Sequence, residues 1–162
     1  MRASSDWIGS DRSGGDAMEY WELAARESIR DLVARYNANG DSGRFGPMLE
    51  LFTEDALMEV PQLTCRGRES IRTFFEDVAG GAGRDPGARA AFIRHFTATH
   101  QIDVENEDAA RGRCYYVVLT DRGLDHWGRY MDQYRRIAGR WLFSHRKVML
   151  DGSIENAWAS RD

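Results

Sequence analysis

The sequence predicts an α+β fold in which N-terminal helices pack on a strongly curved, mostly antiparallel β-sheet. Helical periodicity fills the first half of the chain, four long strand-like runs fill the second half, and short turn signals separate those runs. This order is typical of α+β proteins, whereas parallel sheets alternate strand and helix. Because long strands twist strongly, the sheet is expected to curl, and helices on its concave side would enclose a conical cavity.

Three helices are predicted before the long strands. Asp16 and Glu19 form a possible capping box at the start of the first helix, and residues 37–40, which include two Asn and one Gly, are expected to end it. The second helix spans 47–52, with Pro47 in its first turn, and the third spans 69–78. Their apolar faces follow helical spacing and consist of Ile29, Leu32, Val33 and Tyr36 in the first helix and Ile71, Phe74, Phe75 and Val78 in the third.

Strands are predicted from runs of β-forming residues bounded by turn signals. A short strand at 56–60 ends at Pro61, and a Gly-rich loop at 80–87 is expected to form a mobile flap. The long strands are predicted at 92–104, 111–120, 126–137 and 140–150, with turns at 105–108, 121–123 and 138–139.

The length of 162 residues predicts one domain. We expect a loose tail at 1–15, a single domain at 16–155 and a C-terminal tail at 156–162. The formal net charge of -4 argues against a nucleic-acid partner, and no apolar run is long enough for a membrane helix. Residues 1–15 lack the apolar region of a secretory signal, so a cytoplasmic protein is expected.

The sequence contains no motif that is typical of a metal site or a redox site. Cys65 and Cys114 lie far apart and outside any zinc or redox spacing, so buried free thiols are expected. The chain instead carries five Trp, six Tyr and seven Phe. This aromatic content predicts a large apolar surface that forms either a core or a pocket.

Several short motifs occur in a fixed order between residues 27 and 150: the helix 28–32 leading to Tyr36 and Asp41, the run 51–56, Gly67-x-Glu69-x-Ile71, Arg94-His95-Phe96, Gly128-Arg129-Tyr130-x-Asp132 and Gly139-Arg140-Trp141-x-Phe143. In this order they resemble the NTF2-like superfamily and, within it, the SnoaL-like branch. The resemblance implies a cone-shaped fold. It does not by itself give the reaction, because one fold hosts many functions.

The resemblance also implies a catalytic pair. In scytalone dehydratases and lindane dehydrochlorinases of this family, an aspartate just past the first helix orients a histidine near the start of a long strand. Asp41 and His95 resemble these two residues, and Arg146, five residues after Trp141, resembles the arginine that serves the leaving group in the dehydrochlorinases. A neutral imidazole can accept a proton near pH 7, and an aspartate partner fixes its tautomer.

Two further residues are catalytic candidates. Tyr36 resembles the phenol that donates to the enolate in ketosteroid isomerases, but Val60, beside Glu59, occupies the position of their carboxylate base. A ketosteroid-isomerase mechanism is therefore not expected, and Tyr36 is interpreted as a hydrogen-bond donor or acid. His126 resembles a second pocket histidine of scytalone dehydratase-like members. The candidates for the pocket lining are Phe52, Phe75, Trp127 and Tyr130.

Strand alternation gives an expected side for each polar residue. If the alternation is unbroken, His95 and His100 face opposite sides, and His95 is the one expected in the pocket; a β-bulge would change this parity. Arg146 would share a face with Leu142, Ser144, Val148 and Leu150, with a salt bridge or a subunit interface as the alternatives to a catalytic role. His145 is expected to be structural or at the surface.

The leading hypothesis is a cofactor-independent and metal-independent enzyme that acts on a small apolar or polycyclic molecule by His/Asp general acid–base catalysis. The reaction would be a dehydration, elimination, isomerisation or cyclisation. The alternative is a non-catalytic ligand-binding or adaptor module, or a small subunit of a ring-hydroxylating dioxygenase-type complex. A homo-oligomer, trimer or dimer, is expected to form through the convex face of the sheet.

Overall fold

The computed structural model describes residues 18–80, 90–155 and 157. Within them lie helices α1 (Tyr20–Asp41), α2 (Phe45–Leu49) and α3 (Arg68–Gly80) and strands β1 (Phe52–Val60), β2 (Leu63–Arg66), β3 (Ile93–Asn106), β4 (Ala109–Thr120), β5 (Gly123–Ile137) and β6 (Arg140–Ser153). The predicted tail at 1–15, all but the first residue of the predicted flap at 80–87 and, except for Ala157, the predicted tail at 156–162 lie outside the described residues.

The strands form one open sheet in the order β2-β1-β6-β5-β4-β3. All neighbours are antiparallel except β1 and β6, which pair in parallel. The predicted α+β class and the mostly antiparallel sheet are therefore confirmed. The sequence did not predict β2: Pro61 ends β1 as expected, but Pro61 and Gln62 form a two-residue turn, and Leu63 pairs back with Val60.

The first helix ends later than the Asn and Gly residues suggested, because α1 continues through 37–40 to Asp41. Gly43, at a φ of 67°, forms the actual stop. The Gly43 amide donates to the Gly40 carbonyl at 3.0 Å, and the Arg44 amide donates to the Asn39 carbonyl at 2.8 Å. This pair of hydrogen bonds is the Schellman motif. It places Asp41 in the last turn of α1, where its side chain reaches the start of β3.

The apolar core lies between the helices and the concave face of the sheet. The predicted α1 stripe is buried along its whole length, and α1 packs on β3 and β6 while α3 packs on β1 and β2. Of the predicted α3 face, Ile71 and Phe75 are buried, and Phe74 and Val78 are partly exposed. In the described part of the chain, no helix is long and apolar enough to cross a membrane.

Bulges in the long strands reset which side chains face inward. In β3, Ala98 pairs with Tyr115 but Gln101 pairs with Arg113, so this strand contains one extra residue. Thr99 absorbs it at a φ of 53°. A bulge of this kind ends the simple alternation of strand faces. The unbroken alternation that would place His95 and His100 on opposite sides is therefore not present: His95 lines the cavity, and His100 also approaches the concave side, where its Nε2 lies 3.4 Å from the Tyr134 hydroxyl.

A second bulge changes the environment of Arg146. Phe143 pairs with Tyr134 and His145 pairs with Gln133, so Ser144 is the extra residue in β6. Phe143 rather than Leu142 thereby shares the inner face with Arg146, which corrects the face predicted from unbroken alternation. His145 bonds Glu59 of β1 at 2.6 Å, in agreement with its predicted structural role.

Candidate active site

A cavity of about 520 Å³ opens between the concave face of the sheet and the three helices. This volume lies within the range of small-molecule sites. Its apolar wall comes from α2, α3, β1 and β6 and includes Phe45, Met48, Met58, Phe74, Phe75, Val148 and Leu150. Its polar wall comes mainly from α1 and strands β3 to β5 and includes Tyr36, Asn37, Asp41, His95, Tyr116, His126 and Tyr130.

Asp41 and His95 meet at this cavity. One carboxylate oxygen of Asp41, Oδ1, lies 2.5 Å from Nδ1 of the His95 ring. The other oxygen, Oδ2, accepts the backbone N–H of His95 at 2.9 Å. Because a carboxylate can only accept hydrogen bonds, Nδ1 carries the proton. In the neutral form of the ring, Nε2 is then the acceptor nitrogen. The helix end set by Gly43 and the start of β3 together hold this geometry.

His126 forms a second carboxylate–imidazole pair with its neighbour in the chain. Its Nδ1 lies 2.7 Å from Oδ1 of Asp125, and both residues are buried. Adjacent strand residues normally point to opposite faces. The contact is possible because Val118 pairs with His126 but Leu119 pairs with Leu124, which makes Asp125 a bulge residue. Asp125 was not among the residues selected from the sequence, since a bulge position has no signature in strand periodicity.

Burial controls the protonation of His126. Desolvation lowers the pKa of this imidazole below its ordinary value and outweighs the opposing effect of Asp125, while a charge on His95 lowers it further. The His95 and His126 rings lie 6.5 Å apart between centroids. His126 is therefore neutral near pH 7, and its Nε2 can accept a hydrogen bond.

Tyr116 lies beside both imidazoles. Its ring is 6.3 Å from that of His95, 5.8 Å from that of His126 and 4.6 Å from the stacked ring of Tyr130. Its hydroxyl donates to the Met149 carbonyl at 3.3 Å. Burial, followed by the charge of Asp151, raises the pKa of Tyr116 to about 12, so the phenol stays protonated. This residue was missed in the sequence because nothing distinguishes it from other strand aromatics.

The floor of the cavity is formed by Tyr36, Asn37 and Tyr130. The Tyr130 hydroxyl donates to Oδ1 of Asn37 at 3.4 Å. Asn37 stands one helical turn before Asp41, so both side chains leave the same face of α1. Burial raises the pKa of Tyr36 and of Tyr130, and both phenols are proton donors at neutral pH. Asn37 had been interpreted only as a helix stop.

Arg146 does not line the cavity. Its side chain is 0% exposed, and its Nε and Nη2 donate to the two carboxylate oxygens of Asp132 at 2.9 and 2.8 Å. Burial opposes the charge of Arg146, but Asp132 outweighs that effect and raises the pKa of the guanidinium above its ordinary value. The predicted direct contact between Arg146 and a leaving group thus has no basis in this geometry, and the salt bridge that was the alternative is present.

Of the four residues predicted to line the pocket, the structure brings two to the cavity. Phe75 and Tyr130 line it. Phe52 is fully buried behind Tyr36, with ring centroids 5.9 Å apart, because β1 begins at this residue rather than after it. Trp127 lies on the opposite face of β5 from its neighbour His126. The prediction that Phe52 and Trp127 contact a ligand is therefore corrected.

A metal centre is not evident among the described residues, which contain no group of three His, Cys, Asp or Glu that could hold an ion. Cys65 and Cys114 are free and buried, as predicted. Burial raises the pKa of the Cys114 thiol to about 12, so it remains protonated. The ionisable groups that line the cavity are carboxylate, imidazole and phenol groups.

The chain belongs to the SnoaL-like domain family, whose family model matches residues 21–147. This match confirms the resemblance to the SnoaL-like branch. No curated protein sequence matches the chain.

Solved structures share the fold. A candidate scytalone dehydratase from Novosphingobium aromaticivorans superposes with a TM-score of 0.71 at 20% identity, over 86% of this chain and 95% of that one. A hexachlorocyclohexane dehydrochlorinase (LinA, type 2) gives 0.69 at 18% identity, over 83% and 90%. An NTF2-like protein with a cystatin-like fold, also from N. aromaticivorans, gives 0.63 at 28% identity, over 86% and 94%. At these identities the two enzyme structures establish the fold and leave the reaction open.

Proposed function

We propose that the protein is an enzyme that uses His95 as a general base on a small apolar or polycyclic molecule, without a metal or organic cofactor. The observation that carries this proposal is the contact between Asp41 and His95 in the wall of a largely apolar cavity. Asp41 holds the imidazole in the tautomer whose Nε2 can accept a proton and stabilises the imidazolium that forms. The apolar surroundings strengthen this charge interaction, because little water screens it.

The other polar groups of the cavity complete the proton transfers. In the reaction, Nε2 of His95 takes a proton from a substrate carbon, and the released electron pair moves towards a carbonyl oxygen or expels a leaving group on the adjacent carbon. Tyr36 is the donor to the oxygen on which negative charge develops, and Tyr130 becomes a second donor when its hydroxyl exchanges the Asn37 amide oxygen for the substrate oxygen. His126, neutral and anchored by Asp125, accepts a hydrogen bond from a substrate hydroxyl. Dehydration, elimination, isomerisation and cyclisation all share this first step.

The open cavity favours an enzyme over an adaptor. In a small subunit or adaptor of this fold, side chains can fill the cone. Here about 520 Å³ remains open, and Asp41 and His95 line this space. A ligand-binding module would share the cavity but would not need an imidazole held by a carboxylate.

The test is hydrogen exchange on a panel of neutral cyclic hydroxyketones and halogenated alicyclic compounds in D2O, followed by NMR. The wild-type protein is expected to exchange the acidic C–H of at least one compound. His95→Ala should slow this exchange about 10²–10⁴-fold, and His145→Ala, which removes an imidazole outside the cavity, should not. Equal rates in wild type and His95→Ala would refute the base. Binding of panel compounds without exchange would support the ligand-binding alternative.

We also propose that the chain forms a homo-oligomer, dimer or trimer, through the convex face of the sheet. Phe96 of β3 pairs with Val117 of β4, and Tyr115 stands two residues away on the same face; these side chains are 57%, 37% and 54% exposed. Such a cluster is larger than the scattered apolar residues of ordinary surfaces. Native mass spectrometry should show a multimer, and Phe96→Asp with Tyr115→Asp should shift it to the monomer. A monomeric wild-type protein would contradict the proposal.

We further propose a cytoplasmic location. Two buried free thiols, Cys65 and Cys114, are compatible with a reducing compartment. Cell fractionation with an epitope-tagged chain would test this location, and recovery in an extracellular fraction would contradict it.

A further inference from the structure

Arg146 is a charged residue that the proposed reaction leaves without a direct role. It is fully buried and does not line the cavity. Its guanidinium carbon lies 4.1 Å from the ring centroids of Tyr36, Tyr130 and Phe143. Two of these rings, Tyr36 and Tyr130, also line the cavity. Arg146 therefore contacts the rings of two tyrosines that a molecule bound in the cavity would also contact.

The contacts of Arg146 hold its position closely. Two of its nitrogens bond Asp132, and Asp132 also accepts the Tyr134 hydroxyl at 3.0 Å. The third nitrogen, Nη1, is buried and has no hydrogen-bond acceptor within residues 18–80, 90–155 and 157. Aromatic rings are among its favourable neighbours, since a ring face attracts a cation, and a hydrogen bond between Arg146 and Tyr36 contributes to lowering the pKa of that phenol. The guanidinium is in turn in contact with the rings of both Tyr36 and Tyr130.

A cation behind a phenol also changes the chemistry of its hydroxyl group. Burial raises the pKa of Tyr36, and the charge of Arg146 is the largest opposing effect. Asp132 raises the same pKa, but less than Arg146 lowers it. The arginine therefore offsets part of the cost that burial imposes on negative charge at the Tyr36 oxygen.

Tyr130 has the same arrangement with different neighbours. Burial and the Tyr36 phenol raise its pKa, Arg146 lowers it, and Tyr116 and Cys114 add smaller increases. Arg146 is the positively charged group in this set. A phenol that is made more acidic by a nearby positive charge donates a stronger hydrogen bond to a developing oxyanion.

We propose that Arg146 is a positioning residue that acts on the bound substrate through Tyr36 and Tyr130, because it orients both rings and strengthens both hydroxyl groups as hydrogen-bond donors. The catalytic part of this role rests on the proposed function of the cavity. The effect on the two phenols does not, and it can be measured without a substrate. The role differs from a direct contact with a leaving group, which the buried position of Arg146 does not allow.

The experiment places a fluorinated tyrosine at position 36 or at position 130, one at a time, and follows its ionisation by ¹⁹F NMR. Fluorination makes the phenol more acidic and so lowers the pH at which it titrates. In Arg146→Met, the midpoint at both positions is expected to rise by about 1–3 pH units, the size of the effect of a neighbouring opposite charge. Arg146→Lys, which keeps the charge with fewer contacts, should give an intermediate value.

A fluorinated tyrosine at position 20, whose side chain is 84% exposed, is the control and should titrate alike in every variant. Asp132→Asn provides a second measurement in case Arg146→Met does not fold. It removes a charge that raises the pKa of Tyr36, so the midpoint at position 36 should fall. Unchanged midpoints at 36 and 130 in folded Arg146→Met, or an unchanged or higher midpoint at 36 in Asp132→Asn, would overturn the proposal.

Measurements of turnover distinguish a failure of this proposal for Arg146 from a failure of the proposed function. If the exchange reaction occurs, Arg146→Lys should lower kcat more than it raises KM, and this loss should be largely absent in a Tyr36→Phe, Tyr130→Phe background. An equal loss in that background would overturn the action through the phenols. If the titration shifts are found but no compound reacts, the electrostatic role of Arg146 stands and the proposed function is the part that fails.

Discussion

The carboxylate of Asp41 contacts His95 twice, once at the imidazole Nδ1 and once at the backbone amide. The same two oxygens therefore set the tautomer of the ring and the position of the strand that carries it. The two residues are 54 positions apart in the chain. Their contact depends on where α1 ends and where β3 begins, and it determines which nitrogen of His95 is available to a ligand.

Asp41→Asn is expected to reduce turnover about 10²–10⁴-fold while the fold persists. An amide can still bond the His95 backbone, but it does not stabilise an imidazolium and can favour the wrong tautomer. The downfield proton NMR signal of the His95 Nδ1–H should disappear in this variant. Full turnover with that signal intact would contradict the assigned pair.

Gly128→Ala should destabilise the protein by about 1–3 kcal/mol. An added Cβ at this position would lie 1.9 Å from the Met149 carbonyl oxygen and 2.8 Å from the Tyr116 hydroxyl, so β6 and Tyr116 must both move. Urea denaturation measures the loss, and near-UV circular dichroism reports the displaced tyrosine. Gly46→Ala in α2 is the matched control, because nothing lies within 4 Å of its added methyl group. Equal stability of the two variants would refute the close approach at Gly128.

Removal of one member of the Arg146–Asp132 pair should cost about 3–5 kcal/mol of unfolding free energy, since it leaves a buried charge without its partner. Arg146→Met and Asp132→Leu combined should cost less than the sum of the single changes. A double-mutant cycle in urea gives the coupling energy. Additive losses would show that the two charges do not depend on each other.

Stability is expected to fall as the pH drops below about 6.5, the reference pKa of histidine. Burial is the main reason that the pKa values of His126 and His100 are lowered in the folded protein. Below the reference value the unfolded chain therefore binds protons that the folded chain does not. The stabilisation is complete above the unfolded pKa and is lost as the pH falls towards the folded values.

The measurement is the unfolding free energy at about pH 7.5 and about pH 5.5, on either side of the reference value. The variant His126→Gln, His100→Gln should lose less stability between these two conditions than wild type. The same loss in both proteins would show that other groups cause the acid sensitivity.

Periodicity was a sufficient guide to the elements that bury a regular face. The stripe of α1 follows from helical spacing, because burial of one face imposes a period on the residues that form it. The four long strands follow from runs of β-forming residues bounded by turn signals. The four-residue β2 was missed because it is too short to show a period. The parallel pairing of β1 and β6 was missed because it joins segments far apart in the chain.

Residues of the candidate site that depend on long-range contacts or on bulges were also difficult to predict from the sequence. The resemblance to the family selected Asp41, His95 and His126, all of which line the cavity. It gave Arg146 a direct role that its burial rules out and overlooked Asp125, whose contact with His126 needs a bulge. Bulges at Thr99, Asp125 and Ser144 each shift the inward face by one residue, and no local sequence pattern announced them.

The sequence by itself determined the class of fold, the helix stripe, the order of the elements and the family to which the chain belongs, because these depend on local periodicity and on motifs in a fixed order. Only the tertiary structure decided which polar groups share a cavity, which imidazole is kept neutral by burial and that Arg146 lies behind the tyrosines. These properties depend on distances between residues remote in sequence and on how far each group is removed from water.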